Sequence, residues 1–308
     1  CDKYRQRQAL AQAGQSRLPF YIASDWQNLA QWLQQQADWP FVLKPINSAS
    51  AQDVYQCQTL DQAQAAFGQI KGKHNHCGQD NHQVLAEAFL SGREYRVNTV
   101  SYRDKMVITD LWDMTKVIDQ QGRFIYDKVE LLAAAGEVQN QLIDYIKQVL
   151  AALKIEYGPT TSDIVMTKDG PVLVELGARL MGGMMPTELL RQSLSMTQLD
   201  IMVTAYTDQQ QFNTLPDRYQ LHQHLTMYLV RSHQQGQLSS CRFLNEIKQL
   251  PTVKWLRLMI QSGDLLQITQ DYQTSPLHIV LSHSDPRQIE RDIKQIQHFE
   301  QLGLFGII

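Results

Sequence analysis

The chain has 308 residues, 43% of them hydrophobic, so it can bury a large core and is expected to form two or three folded units. A net charge of -3 argues against a nucleic-acid partner, because such partners are held by a basic face that neutralises phosphates. No apolar run approaches the roughly 20 residues of a membrane span, so no membrane partner is predicted. Four scattered cysteines favour a reducing cytoplasm over a disulfide framework.

The first predicted element is a helix over residues 2–13, with Asp2 as its N-cap and Gly14 as its stop. Chains rarely begin at a capped helix, so this chain is interpreted as a fragment of a longer protein. Lys3 lies in the first turn, where a solvated lysine is an equally good interpretation as a functional one.

A second helix is predicted over 25–37, capped by Ser24, and a strand follows from Phe41. Apolar residues on both sides of Lys44 predict a buried strand that presents a single cation. A buried ammonium is costly unless it meets an anion, which makes Lys44 a candidate binding residue.

Residues 47–53 form a predicted tight loop of small residues, including Ser48 and Ser50, before a strand over 54–57. Backbone amides in such a loop can approach a phosphate closely. After a helix over 60–71, a polar loop over 72–82 contains a His-x-His-Cys sequence. Its Gly- and Asn-rich surroundings favour a surface loop over a transition-metal site.

A strand over 83–90 is predicted to turn at 91–93 into a second strand over 94–101. Glu87 and Glu94 are seven residues apart across this turn. A carboxylate such as Glu94 can accept hydrogen bonds from two vicinal hydroxyls. Strand meander then continues to Lys116, and a helix over 138–153 presents an apolar stripe to the core.

Residues 159–183 contain a predicted β-hairpin, because two short apolar arms flank the polar Lys168-Asp169-Gly170 turn. Asp163 opens the first arm and Glu175 closes the second, so both carboxylates are expected at one end of the ladder. Two carboxylates there favour magnesium with open positions for water and phosphate oxygens. Arg179 follows and can supply a positive fork to an anion, although each acid alone could be an ordinary strand-end charge.

The remainder is predicted to be helical over 187–206 with a break near Ser195, and the Gly182-Gly183 pair before it is expected to leave free amides. A boundary is expected over 208–217. Short strands and a helix over 285–301 then predict a small α+β carboxy-terminal unit.

The segment from Glu175 to Gly183, preceded by an acid twelve positions upstream, resembles the metal-binding hairpin of the ATP-grasp carboxylate–amine ligases. Its Gly-Ala-Arg is most similar to the L-amino-acid (dipeptide) ligase branch. The resemblance implies an α+β ATP-grasp fold, in which two α+β subdomains grip the nucleotide, plus a small carboxy-terminal domain. The implied division is a core over 1–210, with a lid subdomain over about 18–84, and a carboxy-terminal domain over 211–308. The family's usual amino-terminal domain has no counterpart before Lys3.

The resemblance also implies roles for single residues, with ATP and Mg²⁺ (or Mn²⁺) as cofactors. Arg179 is the implied catalytic residue, which neutralises the developing oxyanion, and Asp163 and Glu175 are the implied metal ligands. Trp112 and Lys116 lie where related ligases shape the acceptor pocket, although a plain sheet with one aromatic residue is an equally good interpretation. The implied nucleotide-binding residues are Lys3, Lys44, Ser48, Ser50, Glu87, Ala88, Leu90 and Glu94.

The predicted function is an ATP-dependent ligase that forms an amide or peptide bond between a small carboxylate and an amine, such as two amino acids, through an acyl-phosphate. Two departures weaken the match: the loop at Ser48 lacks the usual glycines, and Gly177 replaces an asparagine of the metal shell. A nucleotide-binding module without catalysis and a carboxylase-like ATP-grasp enzyme are therefore kept as alternatives. A homodimer is compatible with the resemblance.

Overall fold

A computed structural model describes residues 2–16, 18–48, 52–119, 122–182 and 185–308. The helices are α1 Lys3–Gln12, α2 Trp26–Gln34, α3 Leu60–Ile70, α4 Glu137–Ala152, α5 Thr187–Leu194, α6 Gln198–Thr207, α7 Gln209–Thr214, α8 Leu244–Lys248 and α9 Pro286–Gln301. The strands are β1 Phe20–Ala23, β2 Phe41–Pro45, β3 Tyr55–Cys57, β4 Val84–Ala88, β5 Arg93–Tyr102, β6 Lys105–Ile118, β7 Phe124–Leu131, β8 Tyr157–Thr167, β9 Gly170–Gly177, β10 His224–Val230, β11 Gly236–Cys241, β12 Val253–Leu258, β13 Leu265–Leu266, β14 Leu277–His283 and β15 Phe305–Ile307.

The amino-terminal part forms a small sheet of order β1-β4-β2-β3, covered by α2 and α3. Phe41 and Leu43 of β2 point into the core beneath these helices. The sequence prediction for the start of α2 was wrong by one residue. Asp25, rather than Ser24, is the N-cap, and its carboxylate accepts a hydrogen bond from the Asn28 amide at 2.9 Å.

A larger sheet has the order β12-β14-β10-β7-β6-β5-β8-β9, and a separate three-stranded sheet has the order β13-β11-β15. The carboxy-terminal strands β10, β12 and β14 therefore extend the same sheet that contains the predicted hairpin. The 208–217 segment, predicted as a boundary, contains the short helix α7, capped by Asp208. A domain division at residue 211 stays a prediction, and it would fall within α7.

Strands β8 and β9 form the predicted hairpin, and the prediction is confirmed. Thr167 pairs with Gly170 at the turn, and Asp163 pairs directly with Glu175. Because Ile164 pairs with Leu173, one residue of β9, Val174, is left over as a β-bulge. The two carboxylates are thus cross-strand neighbours, as the sequence pattern predicted.

Alternation along the strands separates the core from the opposite face of the sheet. In β5, Tyr95 and Val97 are buried against α4, whereas Glu94 and Arg96 have the opposite orientation. A second core lies at the other end of the sheet, where β14 packs against α9. In the part of the chain that the structure describes, no helix is both long and apolar enough to cross a membrane.

Candidate active site

A cleft of about 810 Å³, open to solvent, lies between the small sheet and the β5–β8–β9 end of the large sheet. Ser50 lies outside the described residues, and Arg179 is considered below. The other predicted nucleotide and metal residues all line this cleft: Lys3, Lys44, Ser48, Glu87, Ala88, Leu90, Glu94, Asp163 and Glu175.

Helix α1 brings two cations to the cleft. Gln6 fixes the helix to the edge of β9, since its side chain donates to the Leu176 carbonyl at 2.6 Å and accepts from the Leu176 amide at 3.0 Å. Lys3 and Arg7 lie one turn apart on the buried face of this helix, at 5% and 1% exposure. Lys3 donates to the Ser48 carbonyl at 2.8 Å, which connects α1 to the loop after β2.

Glu87 is buried between two cations. It accepts from Arg7 Nε at 2.9 Å and also pairs with the Lys44 ammonium. Burial alone would raise the pKa of Glu87, but the charges of Arg7 and Lys44 outweigh burial and lower it to about 2. Burial lowers the pKa of Lys44, so an anion arriving in the cleft would stabilise its charged form. Because Glu87 pairs with both Arg7 and Lys44, its side chain fixes the position of the Lys44 ammonium.

The predicted metal pair is also charge-paired in this structure. Asp163 is held by Arg96 through two hydrogen bonds of 2.6 and 2.9 Å, and Glu175 forms a 2.7 Å ion pair with Lys3. Burial opposes ionisation of Asp163, but the neighbouring Arg96 charge lowers the pKa of this carboxyl. Both side chains line the cleft, and each carboxylate group lies beside a cation.

A second ion pair lies beside Asp163. The Lys116 ammonium is 2.6 Å from Glu94 Oε1 and 4.5 Å from the centre of the Tyr126 ring. Burial raises the pKa of Glu94, and Lys116 only partly opposes this shift. Lys116 lines the same cleft as Glu94, so it is a neighbour of the predicted ribose-binding residue.

The other wall of the cleft is apolar. The rings of Phe89 and Phe124 are stacked with centroids 6.2 Å apart, and Val42 and Val165 line the cleft near them. The turn after Phe89 is possible because Gly92 lacks a side chain. A Cβ at Gly92 would lie only 2.0 Å from the Met166 carbonyl oxygen. A ligand with a flat apolar ring could pack against this wall, and charged groups of the ligand could meet the charged residues on the opposite side.

Three residues singled out from the sequence lie outside the cleft lining. Arg179 is exposed, donates to the Leu180 carbonyl at 2.8 Å, and is close enough to Asp163 to lower the pKa of that carboxyl. The prediction for Trp112 was wrong, because its side chain is fully buried in the core and donates to Asp110. Gly182 does not precede a helix directly, since α5 begins only at Thr187.

The His and Cys residues of the 72–82 loop show no metal arrangement. His74 pairs with Asp80 at 3.0 Å, and both are largely exposed. Among the described residues, no group of three or more His, Cys, Asp and Glu side chains is placed to hold a metal ion.

Sequence reasoning missed Arg7 and Arg96. Arg7 lies four residues after Lys3 in α1, so helical spacing could have placed both on one face. Arg96 lies two residues after Glu94, so strand alternation could have placed both on the same face of β5. No local pattern, however, indicates which acid each arginine meets, since Arg96 and Asp163 are 67 residues apart.

Comparison with known proteins agrees with this geometry. The sequence pattern of the ATP-grasp domain matches residues 37–188. A dapdiamide A synthase from Enterobacter agglomerans is 30% identical over 302 residues, which are 97% of this chain and 70% of that protein. The crystal structure of an L-amino acid ligase from Bacillus licheniformis superposes with a TM-score of 0.78 at 18% identity, over all of this chain and 71% of the ligase. An N5-carboxyaminoimidazole synthetase from Staphylococcus aureus, complexed with ADP, has a TM-score of 0.67 at 15% identity, over 96% and 70% of the two chains.

The fold and the cleft are those of an ATP-grasp domain. The chain belongs to the ATP-grasp carboxylate–amine ligase family. It is therefore an ATP-dependent enzyme that forms a C–N bond between a carboxylate and an amine.

Proposed function

We propose that this ligase joins two amino acids, or an amino acid and a similar small amine, through an acyl-phosphate. The observation that carries the proposal is that Lys3, Lys44, Asp163 and Glu175 converge on one cleft with an apolar wall. Similarity to the dapdiamide A synthase and to the L-amino acid ligase supports amide formation over the bicarbonate chemistry of a carboxylase.

The nucleotide is proposed to lie with its base on the apolar wall and its phosphates on the cationic side. The backbone of Ala88 and Leu90 would face the adenine edge, and Glu94 would accept from the ribose hydroxyls. Lys3 and Lys44 would hold the phosphates, together with the loop at Ser48. Ser50, which lies outside the described residues, is proposed to bind the phosphates as well.

The carboxylates Asp163 and Glu175 are proposed to hold Mg²⁺. As hard oxygen ligands on paired strands they suit this ion, and phosphate oxygens and water would complete the coordination because Gly177 supplies no side chain. Bound there, Mg²⁺ would neutralise charge on the phosphates during transfer. Mn²⁺ would be accepted by the same ligands.

With ATP bound in this way, the carboxylate substrate is proposed to be activated by phosphorylation. A carboxylate is a poor electrophile, so its oxygen attacks the γ-phosphorus of ATP, the bond to ADP breaks, and an acyl-phosphate forms. The amine attacks the acyl carbon and phosphate leaves. Arg179 is proposed to turn towards Asp163 and stabilise the negative charge on the carbonyl oxygen in this step.

Release of ADP in the presence of amino acids, tested singly and in pairs, checks this function. We expect turnover only when a carboxylate donor and an amine acceptor are both present, with a new amide found by mass spectrometry. Bicarbonate in place of the amino-acid donor serves as the comparison. ADP release that requires bicarbonate, or nucleotide binding without any turnover, would contradict the proposal.

The cellular setting is proposed from weaker observations. Cys57, Cys77 and Cys241 are free thiols, which agrees with a reducing cytoplasm. The substrates are small molecules, and a homodimer is compatible with the proposed activity.

A further inference from the structure

The charged groups in and beneath the cleft nearly neutralise one another. In the described part of the chain, five cations meet four carboxylates there, in pairs or in a triad. The pairs are Lys3 with Glu175, Arg96 with Asp163 and Lys116 with Glu94, and the triad is Arg7 with Glu87 and Lys44.

Of these contacts, the one between Arg96 and Asp163 conflicts most with metal binding. Arg96 Nε and Nη2 donate to Oδ1 and Oδ2 of Asp163 at 2.6 and 2.9 Å, so both carboxylate oxygens are engaged. The side chains are only 19% and 9% exposed, so water screens the pair weakly. A divalent cation bound to Asp163 would compete with this guanidinium, because both positive groups would then depend on a single negative charge.

We propose that Arg96 is a positioning residue, an internal counterion that occupies Asp163 until the metal and the nucleotide bind together. This inference rests on the proposed function, because it takes Asp163 as a metal ligand. The cation displaces the guanidinium from Asp163, and the displaced guanidinium then binds an anion brought by the substrates, a phosphate or the activated carboxylate.

The exchange couples the two ligands through charge. Metal alone would leave Arg96 without a carboxylate of its own, because the neighbouring Glu94 already pairs with Lys116, and a buried unpaired charge is strongly unfavourable. Nucleotide alone would find the Arg96 guanidinium engaged by Asp163, so this cation could not bind the phosphates. Each ligand therefore binds weakly without the other, and the enzyme avoids filling its metal site before ATP arrives.

Lys3 and Glu175 form a parallel but looser pair. Lys3 also donates to the Ser48 carbonyl, so it keeps one partner when Glu175 turns to the metal. Glu175 is 27% exposed, three times as much as Asp163, so water can replace Lys3 there. The Arg96–Asp163 pair is therefore expected to oppose metal binding more strongly than the Lys3–Glu175 pair.

The test measures Mn²⁺ binding without nucleotide, by the electron paramagnetic resonance signal of free Mn²⁺. Arg96→Gln frees Asp163, so the variant is expected to bind Mn²⁺ about tenfold more tightly than the unmodified protein while losing product formation. Arg96→Lys keeps the charge with a single contact and is expected to fall between the two. Unchanged or weaker Mn²⁺ binding by both variants would overturn the proposal.

Two controls separate this role from a structural one. Arg93→Gln removes another arginine–aspartate pair of β5, in which Arg93 meets Asp113 of β6 at 2.5 Å. Asp113, unlike Asp163, is absent from the cleft lining, so Mn²⁺ affinity should be unchanged. The double variant Arg96→Gln/Asp163→Asn should lose the gain in affinity. If Arg96→Gln unfolds, Arg96→Lys still decides the question.

A crystal structure with Mn²⁺ and an unhydrolysable ATP analogue gives the direct answer. We expect Asp163 on the metal and the Arg96 guanidinium on a substrate oxygen. A metal bound through Glu175 alone, with Arg96 still on both oxygens of Asp163, would refute the exchange even in an enzyme that turns over. Absence of ADP release with every amino-acid pair would instead refute the proposed function.

Discussion

The two ends of the eight-stranded sheet bury different kinds of side chain. At the β5–β8–β9 end, Arg96 and Asp163 are buried on the cleft face, whereas at the β10–β12–β14 end Ile279 and Leu281 are fully buried against α9. Burying apolar groups stabilises the fold, but burying charges costs free energy unless each meets a partner. The cleft face of the first end therefore carries the charges that binding requires, whereas the face of the other end beneath α9 is apolar.

Two glutamates show the same difference in their pKa values. Burial would raise both, but Glu87 at the cleft has Arg7 and Lys44 beside it, and its pKa falls to about 2. Glu300 in α9 has a hydrogen bond of 3.0 Å from the Tyr228 hydroxyl, and burial raises its pKa to about 7. Partner charge, rather than burial, decides whether a glutamate stays ionised in this fold.

The largest effect is expected at the cleft end, from Arg179→Ala. If Arg179 stabilises the oxyanion, product formation should fall about 10²- to 10³-fold, as for removal of one oxyanion donor. Nucleotide affinity should be retained, because Arg179 does not line the cleft. Single-turnover amide formation and calorimetric ADP binding measure the two quantities.

A matched control for this variant is Arg191→Ala. Arg191 lies in α5 and pairs with Asp200 at 2.8 Å, largely exposed and absent from the cleft lining. Its replacement should leave product formation unchanged. Equal rates for Arg179→Ala and Arg191→Ala would remove Arg179 from its proposed role.

Glu87→Gln tests whether the stability of the cleft end depends on the pairing of its buried charges. The variant leaves Arg7 and Lys44 buried without their carboxylate, so the free energy of unfolding at pH 7 should fall by about 3 kcal/mol. Since the pKa of Glu87 is lowered from 4.5 to about 2, the advantage of the unmodified protein should disappear as pH falls through that window. Urea unfolding at several pH values measures both effects.

A nucleotide analogue sharpens this prediction. Its phosphates would supply the missing negative charge near Lys44, so the loss of stability in Glu87→Gln should shrink when the analogue is bound. The same loss with and without the analogue would argue against phosphate binding at Lys44.

At the apolar end, Leu281→Ala should lower stability without a specific effect on catalysis. Leu281 is fully buried in the core beneath α9, and the cavity left behind should cost about 2 kcal/mol. Urea unfolding gives the stability, and the rate per folded molecule should be unchanged. A loss of rate larger than the loss of folded protein would show that the two ends are coupled.

The sequence predicted the parts of the site that depend on local pattern. The hairpin followed from a polar turn between apolar arms, and the pairing of Asp163 with Glu175 followed from their distances to that turn. Lys44 stood out because a cation in an apolar strand is unusual. These predictions required only the identities of residues that are close together in the sequence.

Contacts between distant segments were beyond that reasoning. One example is the β-bulge at Val174, which Arg7 of α1 contacts. The Arg7 guanidinium donates a hydrogen bond of 2.8 Å to the Val174 carbonyl, although the two residues are 167 positions apart in the sequence. The acceptor-pocket role of Trp112 was a misjudgement, because an aromatic residue within a strand can face either side of the sheet. Here its indole points into the core, where Asp110 accepts its hydrogen bond.

The smallest effect is expected from Glu300→Gln, which removes ionisation but keeps an acceptor for the Tyr228 hydroxyl. The folded protein holds the Glu300 proton up to about pH 7, whereas the unfolded chain releases it near 4.5. The raised pKa thus adds stability at low pH that is lost as pH rises from 4.5 to 7. Above pH 7 the ionised Glu300 is a buried carboxylate with only the Arg231 charge to oppose it, so the glutamine variant should be more stable by about 1 kcal/mol at pH 8 and equal at pH 5. Urea unfolding at these two pH values decides the sign. A variant less stable at pH 8 would mean that Glu300 is held as a carboxylate, and the contrast with Glu87 would then fail.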